Sequence, residues 1–530
     1  MLLVDIVRHA TERYAEREAV VCGSQRLTYQ KLIERACCLA SGLQAKGYAP
    51  GDRIAIIAQN CHRVIELYIA AAISGLVIIP IKAQYAVDDI RYMLQNTDPA
   101  LILASAHDVK KIAAVTAELL PIPVLWWDDE SRERSASLAM GGGEYEWLID
   151  HHSPYELPIA PDESALFALL HTTGTTSIPK AVMVTHRTQV ETVMAEFSEF
   201  CFPVGTYVQP GSVLVSSGIG MMVQSMLTGG KQILLNDSLG NPEHILRAVE
   251  EEQADGARFL PHLVHVPNID AYDLSSLRYM IQGGYPLNPH HFHMFIERFG
   301  PILIHGYGAT EAGGIASLIP DEYYHDGVLE ESRLRSCGHA LPGVTIRIVD
   351  AEGQDVPAGT PGEIVVQTQA LMPGYWGDEA ATAHALRDGW LYTHDMGVLD
   401  EQAYLFLLPR NETPAGIPTY QSIDVETILC RHQAIADSAA FVRTFPGGQK
   451  HIVAVVEPHA NAAFQVEELL TFCRQQGAGQ DMPTEVHVIE HLPRNPVGKI
   501  MRRELRTRYL RDDPPVDPEV SQPEPSLPVN

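Results

Sequence analysis

From His171 to His186 the chain reads His-Thr-Thr-Gly-Thr-Thr-Ser-Ile-Pro-Lys-Ala-Val-Met-Val-Thr-His. Five hydroxyl side chains, Thr172, Thr173, Thr175, Thr176 and Ser177, surround Gly174, and Lys180 follows Pro179. A loop of this make-up offers hydroxyl donors and backbone N–H groups to one anion, with a positive charge at its edge, as phosphate oxygens require. It is not the GxxxxGK[ST] phosphate loop, because the lysine follows a proline and no Ser or Thr follows the lysine. Taken alone, a Ser/Thr/Gly-rich stretch is more often a solvated loop. Its order, Thr-Thr-Gly-Thr-Thr-x-x-Pro-Lys and then Val-Met-Val-Thr-His, is what gives it meaning.

Outward from the loop, Ala165–Leu170 has the make-up of a buried strand. Upstream, Leu27-Thr28-Tyr29 leads into Leu32, Ala36, Leu39 and Leu43, the spacing of a helix packed on one face. Gly51–Ala58 reads as a turn and a buried strand, Val64–Gly75 as an apolar helix, and Val77–Pro80 as another strand. This alternation, resumed from 160 to about 315, predicts an α/β fold of parallel sheets with helices on both faces. From 338 to 376, short strands between Pro/Gly turns predict a small β-rich subdomain. Asn411–Pro418 is a polar turn stretch that fits a linker. Beyond it, a helix over 423–431, a strand over 451–456 and a helix over 466–475 predict a compact α+β module. The Pro-rich end reads as a disordered tail. The expected division is therefore 1–410, a hinge at 411–418, a small domain at 419–511 and a tail at 512–530.

Composition narrows the function. A chain of 530 residues exceeds one compact core. Its 66 acidic against 38 basic residues, a net charge of −28, argue against a nucleic-acid-binding surface. A triphosphate site here must be locally positive, which singles out Lys180, Arg410 and Lys499. The amino terminus lacks a leader-like apolar stretch. The longest apolar run, Leu67–Ile81, is broken by Ser74, Gly75 and Pro80 and falls short of the roughly twenty residues that span a bilayer. Eight cysteines without ligand spacing read as reduced, mostly buried thiols of a cytoplasmic protein. His151-His152 and His290-His291-x-His293 read as surface histidines rather than metal ligands.

Further motifs follow in order: Gln282-Gly-Gly-Tyr-Pro-Leu287, His305-Gly-Tyr-Gly-Ala-Thr-Glu311, Gly338-His-Ala-Leu-Pro-Gly-Val344, Gly362-Glu-Ile-Val-Val366 and Pro373-Gly-Tyr-Trp376. Asp388-Gly-Trp-Leu-Tyr-Thr-His-Asp-Met-Gly397 and Leu492-Pro-Arg-Asn-Pro-Val-Gly-Lys-Ile500 complete the series. Together with the 171–186 loop, the set resembles the adenylate-forming superfamily of acyl-CoA synthetases, aryl-acid ligases, luciferases and peptide-synthetase adenylation domains, and most resembles acyl-CoA synthetases. The resemblance implies a large N-terminal domain of stacked α/β sheets and a small mobile C-terminal lid. It also implies a ligase that activates a carboxylic acid with ATP and Mg²⁺ through an acyl-adenylate and then transfers the acyl group to CoA.

It implies residue roles as well. Thr172, Thr173, Gly174, Thr175, Thr176 and Lys180 would hold the β- and γ-phosphates. Thr310 would meet the α-phosphate, and Glu311 would hold Mg²⁺. Gly283, Gly284, Tyr285 and Gly308 would border the nucleotide, and Tyr307 would stack on adenine. Asp395 would accept from the ribose hydroxyls, with Arg410 sharing the ribose or phosphate contact. Lys499 would neutralise charge between the carboxylate and the α-phosphate.

Several positions depart from the family pattern. Ser177, Ala181 and His394 stand where glycine is usual, and His394 would crowd the sugar. The hinge is short, with Pro409, Pro414 and Pro418 and the single Gly416, so it should be stiffer and transfer to CoA slower than adenylation. The acyl pocket is expected near Leu214–Met222 with Gly284, Tyr285, Gly308 and Ala309. No aspartate lies between Phe197 and Leu235 to pair with a substrate ammonium, and the small residues and Met221-Met222 imply an apolar, uncharged acid. Two rival readings remain: a stand-alone adenylating enzyme that loads a phosphopantetheinyl carrier protein, and a diverged ligand-binding homologue with little turnover.

Overall fold

A computed structural model describes residues 2–127, 144–155, 162–172, 179–200, 205–236, 241–284, 287–408, 420–444, 450–459, 462–476, 482–494 and 500–509. Positions 173–177, Tyr285, Arg410, the expected hinge, Lys499 and the tail lie outside these residues. The chain divides into two compact units, one comprising Met1–Asn411 and the other comprising Glu412–Asn495 with Ile500–Asn530.

Among the described residues of the larger unit, a six-stranded sheet runs in the order Val124–Trp127, Leu101–Ser105, Arg53–Ala58, Val77–Lys82, Leu166–His171 and Ala181–Thr185. Its neighbours are parallel except the last pair, a hairpin in which His171 faces Ala181. A nine-stranded sheet is parallel from Leu303–Ala309 across to Glu18–Cys22 and ends in antiparallel strands on both sides. Each sheet thus closes on an antiparallel hairpin that a purely parallel expectation misses: 166–185 in one, 303–318 in the other.

Helices fill the space between these sheets. One core cluster joins Val20 of the nine-stranded sheet and Ile56 and Ile78 of the six-stranded sheet to Leu39, Leu67 and Ile219 of three helices. His62–Ser74, a largely apolar helix packed against both sheets, is buried along all but its last residue, and the polar His62, Arg63 and Glu66 are buried with it. Gly75 ends it in the left-handed region. The long apolar run is therefore a buried helix and strand. Among the described residues no helix is long and apolar enough to cross a membrane. Each fully buried Leu or Ile of this cluster contributes roughly 1.5–3 kcal/mol. Within it, the fully buried Glu66 is neutralised by Arg35 at 2.7 Å and accepts from the Tyr145 hydroxyl at 2.6 Å, so the buried charge is paired and hydrogen-bonded.

The β-rich part extends further than the expected 338–376. Thr345–Val349, Gly362–Gln367, Trp390–Leu399, Leu386–Arg387 and Leu405–Leu408 form one antiparallel sheet. The Asp388–Gly397 motif begins in a turn and runs from Trp390 along its longest strand.

The smaller unit has a three-stranded sheet, Ile435–Thr444, Lys450–Pro458 and Pro483–Val488, with helices Tyr420–Cys430, Val466–Gln476 and Arg502–Tyr509. The first and third of its strands and the last helix are absent from the sequence-based expectation, whereas the 451–456 strand and the 466–475 helix match. An Arg494–Ile500 bridge brings together the two ends of the segment that carries Lys499. Arg494 pairs with Asp437, the Leu492 N–H donates to Glu457 at 2.8 Å, and Arg502 makes a two-pronged contact with Glu426 at 2.6 and 2.8 Å. The base of that loop is thereby fixed on both sides.

Two expectations about histidine and cysteine divide. His291 is not a surface residue; only 2 % of it is exposed, because it lies beside Phe292 on the inward face of the helix Pro289–Phe299. Cys37, Cys38, Cys337, Cys430 and Cys473 are free and buried, and Cys22 and Cys61 are free and partly buried.

Candidate active site

The two hairpins place the motif residues. Leu166–His171 and Ala181–Thr185 are antiparallel, and the 172–180 loop is their connection. Its neck is closed by backbone: the Thr172 N–H donates to the Lys180 carbonyl at 3.0 Å, and the Lys180 N–H donates to Thr172 Oγ1 at 3.2 Å. Ala181 begins the second strand, is buried, and has no left-handed backbone, so this departure from glycine carries no backbone strain.

Thr310 and Glu311 occupy the turn of the other hairpin, between Leu303–Ala309 and Gly313–Leu318. They cap no helix. The strands approach so closely that a Cβ on Gly308 would lie 2.6 Å from the Gly313 carbonyl oxygen, so this position requires glycine. Gly284, at the end of the strand Tyr279–Gly283, has φ +94°, a conformation that glycine adopts without strain.

A third segment ties the hairpins together. The Met183 N–H donates to the Gly374 carbonyl at 3.0 Å, the Trp376 N–H to the Ala181 carbonyl at 2.8 Å, and the Met372 N–H to the Glu311 carbonyl at 2.8 Å. Tyr375 therefore lies between the two motifs. Its hydroxyl donates to Glu311 Oε1 at 2.8 Å, and Lys180 Nζ lies 4.7 Å from the centre of its ring. Sequence reading took Pro373–Trp376 only as a connecting segment. Tyr375 is a site residue it missed, and its only signal was a quoted motif with no assigned role.

Asp395 lies on the strand Trp390–Leu399 and accepts from the Tyr307 hydroxyl at 2.8 Å, joining the β-rich sheet to the nine-stranded one. Tyr307 itself is 8 % exposed. Three residues, 393 to 395, oppose the single Ile364 in the neighbouring strand, which makes a bulge. His394 sits in it at φ +56°, the conformation for which glycine is usual. Its side chain turns to Glu363, with Nδ1 3.1 Å from Oε1, and its ring lies 4.9 Å from that of His384. The substitution thus has a backbone cost. His394→Gly should raise the stability of the larger unit by about 1 kcal/mol. Denaturant unfolding monitored at equilibrium checks this, and a lowered midpoint would count against it.

A cavity beside Thr310 is lined by Thr188, Gln189, Thr192, Ser216, Gly313 and Met372, among others. It brings Ser216 of the expected acyl segment together with the Thr-Glu turn. Leu214 and Met222 are buried in the core cluster and are not among the residues that line this cavity. Hydroxyl groups of Thr188, Thr192, Ser216 and Thr310 share this wall with Met183 and Met372 rather than with Met221 and Met222. One residue before the Phe197–Leu235 window, which holds no aspartate, Glu196 continues the same helix face. Burial, with no cation beside it, pushes its carboxyl up to about 7. The four-residue spacing Thr188, Thr192, Glu196 was the available signal.

The arrangement gathers a cation, a carboxylate and hydroxyl groups from segments more than a hundred residues apart, as binding a metal–triphosphate requires. Comparison with known proteins agrees with this chemistry. The sequence model of the AMP-binding enzyme family matches residues 7–376, and that of the AMP-binding enzyme C-terminal domain matches residues 424–499. The chain is 27% identical over 515 residues to the fatty acid–acyl-carrier-protein ligase ScoC of Streptomyces coeruleorubidus, covering 93% of this chain and 94% of that one. It is 27% identical over 545 residues to a long-chain-fatty-acid–CoA ligase of Escherichia coli, covering 95% and 94%. Among solved structures, the amide bond synthetase McbA from Marinactinospora thermotolerans superimposes with a TM-score of 0.81 at 25% identity, covering 96% of this chain and 100% of that one.

Proposed function

This chain belongs to the AMP-binding enzyme family, and from that premise we propose how its residues divide the work of the reaction. The protein is an AMP-forming acid–thiol ligase: it activates a carboxylic acid with ATP as an acyl-adenylate and passes the acyl group to CoA or to a carrier. The observation that carries the assignment of roles is the Lys180–Tyr375–Glu311 contact, which unites two hairpins at one place.

In the first half-reaction the acid's oxygen attacks the α-phosphorus and pyrophosphate leaves, while charge builds on the phosphoryl oxygens. Lys180 and the hydroxyls of Thr172, Thr173, Thr175 and Thr176 bind the β- and γ-phosphates, with Gly174 letting the backbone approach. Thr310 donates to the α-phosphate. Glu311 suits Mg²⁺, a hard cation that takes oxygen ligands, because Tyr375 orients its carboxylate through one oxygen. The metal would supply neutralisation of phosphate charge there. Tyr307, Gly283, Gly284, Tyr285 and Gly308 border the base, and Asp395 and Arg410 take the ribose. Lys499 neutralises the carboxylate and α-phosphate.

We assign these roles to a large domain over 1–410, a hinge at 411–418 and a lid over 419–511, and take the acid to be uncharged apart from its reacting carboxylate. The acceptor is CoA in the preferred reading. A carrier protein is the second reading, favoured by the similarity to ScoC and by the single hinge glycine, Gly416. The free cysteines fit the reducing cytoplasm. Acid-dependent exchange of pyrophosphate into ATP tests the first half-reaction. Capture of the acyl group on CoA or on a pantetheinylated carrier separates the two acceptors.

A further inference from the structure

On the helix His186–Phe200, Thr188, Thr192 and Glu196 follow one another at intervals of four and so share a face. The first two line the cavity beside Thr310, and Glu196 lies one turn further on. There the opposing wall is made of glycine. A Cβ on Gly314 would lie 3.0 Å from Glu196 Oε1, one on Gly220 would lie 3.7 Å from Oε2, and one on Gly313 would lie 2.4 Å from Thr192 Oγ1. The missing side chains are what leave the carboxylate its room. Leu341 closes the space beside Gly314, and Tyr207 is the titratable group facing the carboxylate. Among the described residues, no hydrogen bond or ion pair engages Glu196.

Glu196 is only partly buried and its oxygens keep some contact with solvent, so a ligand that fills this space displaces that water and must bring a donor in its place. We propose that Glu196 reads the far end of the acid and selects acids that carry a neutral hydrogen-bond donor there, a hydroxyl above all. The inference rests on the ligase reading above and adds the class of acid to it. A hydroxyl suits the position better than an ammonium. It can donate to the ionised carboxylate and accept from the protonated carboxyl, and burial makes both forms available near neutral pH. An ammonium can only donate, and it must also shed a tightly held hydration shell.

A site that bonds a substrate hydroxyl rejects the analogue lacking it far more strongly than an apolar pocket rejects a missing methylene. The test is pyrophosphate-exchange kinetics on the full chain with three acids of matched length, ending in a hydroxyl, a methyl or an ammonium group. The wild type, Glu196→Gln and Glu196→Leu are compared, with thermal unfolding as the check that each is folded. The wild type should prefer the hydroxy acid over the methyl acid by about tenfold or more in kcat/KM. Glu196→Gln should keep that preference, since its carbonyl still accepts. Glu196→Leu should abolish or reverse it, a change in ratio that general loosening of the fold does not produce.

Equal use of the hydroxy and methyl acids by the wild type overturns the proposal, whether or not the Leu variant folds. So does an unchanged ratio in a folded Leu variant. An ammonium acid preferred above both, with the preference lost in Glu196→Gln, would replace it with a cation-reading role. No exchange with any acid defeats the ligase reading itself, a result distinct from all of these.

Discussion

Replacement of Lys499 by alanine is expected to lower acid-dependent pyrophosphate exchange by about a hundredfold or more, the usual loss on removing a preorganised stabiliser of transition-state charge. The same variant should still transfer the acyl group from a supplied acyl-adenylate to the thiol acceptor at close to the wild-type rate. The proposed roles separate the half-reactions in this way. Adenylation gathers negative charge at the α-phosphate and carboxylate, whereas thiol attack on the finished adenylate releases it. The loop that bears the lysine has its base anchored by the Arg494–Ile500 bridge and the Arg494–Asp437 pair, so truncation at 499 leaves that anchoring intact. Single-turnover measurements of each half-reaction check the separation. Equal losses in both would show that Lys499 supports the fold or both steps alike.

The second large effect is expected at Glu311. Glu311→Gln keeps an acceptor for the Tyr375 hydroxyl but removes the charge that suits a hard cation. Exchange should fall by about a hundredfold, since loss of metal-borne charge stabilisation is worth several kcal/mol. The Mg²⁺ concentration for half-maximal exchange should rise at the same time. A lower rate with an unchanged Mg²⁺ response would move Glu311 from metal binding to a purely structural partnership with Tyr375.

Much of the architecture is legible from periodicity. Val64–Gly75 is readable from its largely apolar make-up, and Gly75 does end the helix in the left-handed region. The Leu32/Ala36/Leu39/Leu43 spacing gives the helix Tyr29–Ala45, which packs those four residues inward. The antiparallel hairpins that close each sheet were not readable. Strand direction depends on pairing partners, and an apolar strand flanked by turns has the same composition either way. His394 looked like a steric problem for the sugar. The structure adds a backbone cost, because a bulge opposite Ile364, invisible in sequence, fixes φ there. Ala181 looked like the same kind of departure and carries no such cost, since it lies in a strand.

The site was legible where motif order carried it and obscure where a role depends on a partner from another segment. Tyr375 has no meaning until Lys180 and Glu311 flank it. Glu196 escapes because the expectation concerns an aspartate between Phe197 and Leu235, whereas the helix His186–Phe200 that borders the cavity begins upstream of that window. Met222 enters the expected pocket from its chemistry alone, and the structure adds that it is buried in the core cluster. Side-chain direction decides such assignments, and it follows from packing rather than from residue type.

The central claim is that this chain makes an acyl-adenylate. Its most direct test is exchange of labelled pyrophosphate into ATP by the full-length protein with Mg²⁺, over a panel of fatty, aryl, hydroxylated and amino acids. The account predicts exchange that requires an acid and is highest with one or more uncharged acids, while glycine and the charged amino acids support little. Folded protein that exchanges with no acid in the panel would contradict it.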